Sequence, residues 1–80
     1  MKVNTIVDNK TLKDIGFQIN GARYMLNDHI ITKFIHHERE QCLCGQIIAI
    51  DSDGFILKDR LAVKLFVKFD KILNLAHNPL

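Results

Sequence analysis

Thiolate and imidazole are the ligands that zinc selects. This chain carries both within a short span, His36-His37 and Cys42-x-Cys44 on either side of the charged run Glu38-Arg39-Glu40-Gln41. If Ile30 to His37 pairs with Cys42 to Ile50 as a hairpin, His37 lies near Cys42 and the two thiols share one face of a strand. The spacing is not that of a zinc finger, and a C-x-C on a strand holds its sulfurs further apart than a C-x-x-C in a knuckle. Two small apolar strand residues and two histidines at a solvated hairpin end account for the same pattern. No metal is expected, with His37, Cys42 and Cys44 as the minor alternative set. Asp51-x-Asp53-Gly54 has the look of a calcium loop, but its glycine comes too early and no glutamate follows at the twelfth position. A hairpin turn fits it better.

Nucleophilic chemistry finds little to work with. Ser52 sits in that acidic turn with no base placed by spacing, and a dyad of His37 with Cys42 or Cys44 lacks a third residue and a cleft to hold it. The glycines at 16, 21, 45 and 54 stand alone, so no phosphate-cradling loop is present. The expectation is a protein without catalytic residues and without cofactors.

These side chains must be positioned by a very small body. An 80-residue chain forms one domain, and a core of that size buries only about 60% of the surface its unfolded chain exposes. Two cysteines cannot staple it, so tight packing or burial against a partner chain has to supply the missing stability. Apolar residues at 48% and charged residues at 25% are globular averages, which argues against disorder. Eleven Lys+Arg against nine Asp+Glu give +2, with the basic residues scattered along the chain. A strong duplex binder would show a basic stripe instead. The longest uncharged apolar stretch, Cys42 to Ile50, falls far short of the roughly 20 residues of a membrane span. Met1-Lys2-Val3-Asn4 has no apolar leader region, so the expected compartment is the cytoplasm, with both thiols reduced.

Val3, Thr5 and Val7 alternate with polar neighbours as a short strand would. The order Asp8 to Gly16 offers an N-cap, apolar residues three apart and a stopping glycine, which predicts one or two helical turns. Phe17-Gln18-Ile19 and Ala22-Arg23-Tyr24 flank Asn20-Gly21, a hairpin signal; a short helix over Ala22 to Asn27 competes with it. From Ile30 the strands are clearer. Ile30 to His37 carries apolar residues on both faces, and Leu43 to Ile50 is isoleucine-rich around Gly45, where a missing side chain permits a bend or the close approach of another backbone. Phe55-Ile56-Leu57 follows, and then Ala62 to Phe69 gives the best period-2 pattern in the chain, trailed by Ile72, Leu73 and Leu75. Four or five short strands spaced by about ten residues, one bent at a glycine, predict a mostly β chain folded as a small, highly curved barrel.

The residues that carry these strands resemble a known family. His29-Ile30-Ile31-Thr32-Lys33-Phe34-Ile35, a polar turn, Leu43-Cys44-Gly45-Gln46-Ile47-Ile48-Ala49-Ile50-Asp51 and Phe55-Ile56-Leu57 are similar to the first motif of the Sm and Sm-like proteins. Val67-Lys68-Phe69-Asp70-Lys71-Ile72-Leu73-Asn74-Leu75 resembles the second. The resemblance implies a strongly bent five-stranded Sm-like (SH3-like) barrel as a core over residues 29–75; residues 1–28, longer than the short helix the family places there, form an N-terminal extension with the short helix and/or hairpin read above, and residues 76–80 a tail. It also implies a ring in which the fourth strand of one subunit, Ala62 to Phe69, pairs with the fifth of the next, Lys71 to Leu75. Val63, Leu65, Val67, Ile72 and Leu73 then form the oligomer interface.

In that family the pore holds uridine bases with an aromatic two positions after the aspartate, an asparagine four after it and the arginine of the second motif. Asp53, Phe55 and Lys68 stand at those positions here. Asp53 repels phosphate, Phe55 can stack a base without hydrogen-bonding it, and Lys68 keeps the charge without the planar fork. Asp51, Phe55 and Lys68 are the candidate RNA-binding residues, and the expected partners are further copies of this chain and single-stranded RNA, with no membrane. The alternative is an SH3-like barrel that acts as a protein-interaction or assembly module without nucleic acid.

Overall fold

The computed structural model describes residues 3–79. Met1 and Lys2 of the expected extension, and Leu80 of the expected tail, lie outside the described residues. The chain is mostly β, in two antiparallel sheets, with a single 3-10 turn at Phe69–Lys71 as its helical element. The first sheet holds β1 (Val3–Val7), β2 (Asp14–Ile19) and β3 (Ala22–Met25) in the order β1-β2-β3. The second holds β4 (His29–His36), β5 (Arg39–Ile50), β6 (Gly54–Lys58), β7 (Lys64–Lys68) and β8 (Ile72–His77) in the order β7-β6-β5-β4-β8. Its end strands β7 and β8 are not paired with one another, so the five strands do not close into a barrel through hydrogen bonds. Among the described residues no helix is long and apolar enough to cross a membrane.

The two hairpins that begin and end at local turns explain themselves from their residues. Asn20 and Gly21 take φ of 51° and 82°, and Ile19 pairs with Ala22 across them, which is the positive-φ geometry that an Asn-Gly pair adopts at little cost. The helix considered over Ala22 to Asn27 is therefore absent, because Ala22 to Met25 is hydrogen-bonded to β2. The helical turns expected over Asp8 to Gly16 are also absent. Asp8 accepts hydrogen bonds from the Thr11 hydroxyl and the Lys10 amide, and the Leu12 amide closes one α-turn on the Asp8 carbonyl. Leu12 then enters the left-handed region at φ 58°, which stops a right-handed helix, and Asp14 to Ile19 pairs between β1 and β3.

Within the second sheet β5 serves two neighbours in turn. Residues 39–46 pair with β4, and residues 46–50 pair with β6 through a bulge between Ile47 and Ala49. Gly45 stands at the hand-over, where a β-carbon would lie 2.5 Å from the Lys58 carbonyl oxygen. That is the close backbone approach for which the sequence reserves a glycine.

Both sheets feed one core. Phe17, Ile19 and Tyr24 from the first meet Ile30, Phe34, Ile47, Phe55, Leu57, Val67, Phe69 and Ile72 from the second. Phe17 sits at the junction, stacked on Tyr24 and Phe55 at centroid separations of 5.4 and 5.2 Å and tilted against Phe69 at 4.9 Å. The main-chain link is short: the Asn27 amide donates to the Ile47 carbonyl, and the Ile47 amide to the Asp28 carbonyl. The only buried polar side chain among the described residues, Thr32, donates its hydroxyl to the Asn74 carbonyl at 3.0 Å.

Candidate functional site

The fold brings the two loops of the expected RNA site together, but it changes what they present. Gly54 pairs with Lys68 at the end of the β6–β7 ladder, and the Phe69 amide donates to the Asp53 carbonyl at 2.9 Å. Loop 51–53 and turn 68–70 therefore share one open cleft, lined by Val3, Ser52, Asp53, Lys68, Phe69 and Asp70. Asp51 spends its carboxylate within its own turn, where Oδ1 accepts from the Asp53 and Gly54 amides at 2.8 and 3.0 Å. Phe55 has no exposed surface and faces the core against Phe17. A base cannot stack on it without opening the fold. Lys68 is exposed, with Asp53 and Asp70 lining the same cleft, so the two carboxylates outweigh the one cation of the site.

The expected interface residues divide by position. Val67 and Ile72 are buried in the chain's own core, and Leu65 is half-buried. Val63 and Leu73 are exposed at 58% and 52%, at opposite ends of the five-stranded sheet. β8 is not bare along its whole length. The Tyr24 hydroxyl donates to the Leu75 carbonyl at 3.1 Å, Tyr24 stacks on His77 at 4.5 Å, and His77 lies 3.4 Å from Asp28. Burial pushes the Tyr24 phenol above its usual range. A cleft of about 240 Å³ remains between β3 and β8, with Ala22 and Tyr24 on one side and Ile72, Leu73 and Asn74 on the other.

The minor zinc set is not assembled. His36 pairs with Arg39 across a two-residue turn in which His37 and Glu38 take φ of 52° and 64°. The turn is thus shorter than the run 38–41 that the charges suggested, and every pairing shifts with it. Cys42 lies opposite Lys33 and Cys44 opposite Ile31, while His37 sits in the turn four residues beyond Lys33, about 13 Å of strand at about 3.3 Å per residue. Both thiols are free and exposed, and among the described residues no three His, Cys, Asp or Glu side chains gather as a metal site would require.

A second groove escaped the reading of the sequence. Phe34, Ile35, His36 and His37 at the turn end of β4 face Phe66 and Lys68 of β7 and Lys71 of the 3-10 turn around a space of about 320 Å³. The signal was present in the alternation of Ala62, Lys64, Phe66 and Lys68, which places a phenylalanine on the otherwise polar face of that strand. What faces it, His36 and His37, depends on how the sheet curls. Compared with models of known protein families, with curated proteins and with solved structures, the chain matches none.

Proposed function

We propose that this chain is an Sm-like protein that assembles head to tail into a ring and engages single-stranded RNA. One observation carries the reading: β7 and β8, the fourth and fifth strands of the five-stranded sheet, are its two unpaired ends. An assembly that pairs the fourth strand of one copy with the fifth of the next requires that pair of free margins. Unpaired margins flanked by exposed Val63 and Leu73 are an aggregation hazard in an isolated molecule, and a closed heterologous ring removes it. The small core is served by the same step, because each copy covers apolar surface of its neighbour.

The alternative, an assembly module without nucleic acid, draws support from the cleft around Lys68. Its two carboxylates, Asp53 and Asp70, oppose phosphate, and Phe55 is withheld by burial. The readings separate in solution. Native mass spectrometry of the wild-type chain should give one defined multiple of 9.2 kDa, and Leu73→Asp, altering a residue already half exposed, should give folded single chains that melt below the assembled wild type. A wild-type monomer at micromolar concentration ends the ring reading. Filter binding of oligo(U) and oligo(A) at two salt concentrations tests the other half: retention that weakens as salt rises supports RNA, and no retention at low salt leaves the assembly module.

A further inference from the structure

We infer that the groove between the β4 turn and β7 is a binding site for single-stranded nucleic acid, with Phe66 and the His36-His37 pair receiving a base and Lys68 and Lys71 receiving the phosphate. The inference rests on the RNA reading above and moves its base contact to a groove that adjoins the cleft of Asp53 and Asp70 and shares Lys68 with it. The seven lining residues include two lysines, two histidines and two phenylalanines, and no carboxylate. Among the described residues neither lysine takes part in an ion pair; Lys33 with Glu40 and His77 with Asp28 are the contacts present. Lys68 also lines the neighbouring cleft that holds Asp53 and Asp70, so those carboxylates compete for it, whereas Lys71 lines this groove and not that cleft; Glu40 sits 3.7 Å from Lys33.

Flat rings distinguish this groove from a simple cationic patch. Phe66 is 38% exposed, and the His36 and His37 rings lie 4.0 Å apart at 61°. Phe34 supports that pair from the core side, edge-on to His36 at 6.3 Å. Every base has a π-face, so stacking on such rings combined with lysine contacts to the backbone gives affinity without strong sequence preference. An acidic peptide would use the lysines and leave the rings idle. At about 320 Å³ the space is at the lower end of ligand pockets, about 300–1,000 Å³, a size suited to one nucleotide of a longer strand. Strand addition at the edge of β7 uses backbone groups, whereas the lining side chains stand off the sheet, so assembly and binding are compatible.

The test uses the full chain with fluorescein-labelled oligo(U) and oligo(dT) in anisotropy titrations at several salt concentrations. Phe66→Ala should weaken binding about ten-fold with an unchanged salt slope, since stacking carries little charge dependence. Lys71→Ala should lower the slope of log K against log salt by about 0.7, the value for one phosphate contact on a single strand. Lys10→Ala, outside the groove, should behave as wild type. Wild-type binding that survives Phe66→Ala and Lys71→Ala unchanged overturns the groove and leaves RNA binding standing. Absence of wild-type binding to both oligonucleotides at low salt overturns both. Competition by polyglutamate that Phe66→Ala does not alter also overturns the groove as a nucleic-acid site. The ten-fold loss in Phe66→Ala together with the reduced slope in Lys71→Ala supports it, and the ratio of oligo(U) to oligo(dT) affinity then says whether the groove distinguishes the two strands.

Discussion

The five-stranded sheet is held by continuous ladders from β7 through β8, whereas the three-stranded sheet is tied to it by a few backbone bonds around Ile47 and by the aromatic contacts of Phe17 with Phe55 and Phe69 and of Tyr24 with His77. The second sheet could keep its pairing if the first were displaced, but its core would lose Phe17, Ile19 and Tyr24 as a lid. Ladders specify neighbours; side-chain packing specifies which face is dry. The first sheet therefore acts mainly as the cover of the second, and its latch on β8, Tyr24 to Leu75, also narrows the margin at which another copy would dock.

The most severe way to break this division is Phe17→Ala. Phe17 has no exposed surface, and removing a buried phenylalanine costs about 3–5 kcal/mol, a large share of what so small a domain possesses. Urea unfolding should show one transition at much lower midpoint. If amide exchange at Ile47 and Leu57 were unchanged while the first sheet opened, the two sheets would be independent and the shared core would be the wrong description.

A smaller effect sharpens the role of the latch. Tyr24→Phe keeps the stack and removes the hydrogen bond to Leu75, for a loss of about 0.5–1.5 kcal/mol. Burial raises the phenol's folded-state pKa above its unfolded value, so the folded state favours the neutral form. That contribution is present below the usual tyrosine range, about pH 10, and is lost as pH rises through the folded value. Melting temperature measured from pH 8 to 11 should fall more steeply for wild type than for Tyr24→Phe, and parallel curves would remove Tyr24 from the account.

The smallest effect lies in the β1–β2 turn. The Thr11 hydroxyl, and after it the Lys10 amide, hold the Asp8 carboxyl below the usual range. The ionised form is therefore favoured in the fold, with a benefit present above the unfolded carboxylate pKa and lost as pH falls through the folded one. In Thr11→Ala the Asp8 resonance should titrate closer to the ordinary value by NMR, with no measurable change in melting at neutral pH. An unaltered titration would show that the turn is held by its backbone alone.

Much of this arrangement was legible from local signals. β-Branched and apolar runs located β4, β5, β6 and β8 within a few residues and period-2 alternation located β7, Asn20-Gly21 located a hairpin, and Gly45 marked a close approach of backbones. Each of these depends on a residue and its near neighbours: the parity of a strand, the freedom of φ without a β-carbon, the absence of a side chain. The Asp8 to Gly16 segment misled because a cap, a spacing and a glycine satisfy helix rules locally, while pairing of Asp14 to Ile19 on both sides outweighs them.

The candidate site was legible only in part, for the same reason. The resemblance put Asp53 and Lys68 into one site, and the two line one cleft, but whether Phe55 faces a ligand or Phe17 depends on which side of the sheet the first three strands cover. The left-handed pair His37-Glu38, which no Asn or Gly announces, shifted the β4–β5 register and moved Cys42 away from His37. By itself the sequence determined a small, mostly β chain with these strands and turns. Only tertiary structure decided which faces became core, which cations met which rings and which margins stayed open, because those outcomes come from contacts between segments far apart along the chain.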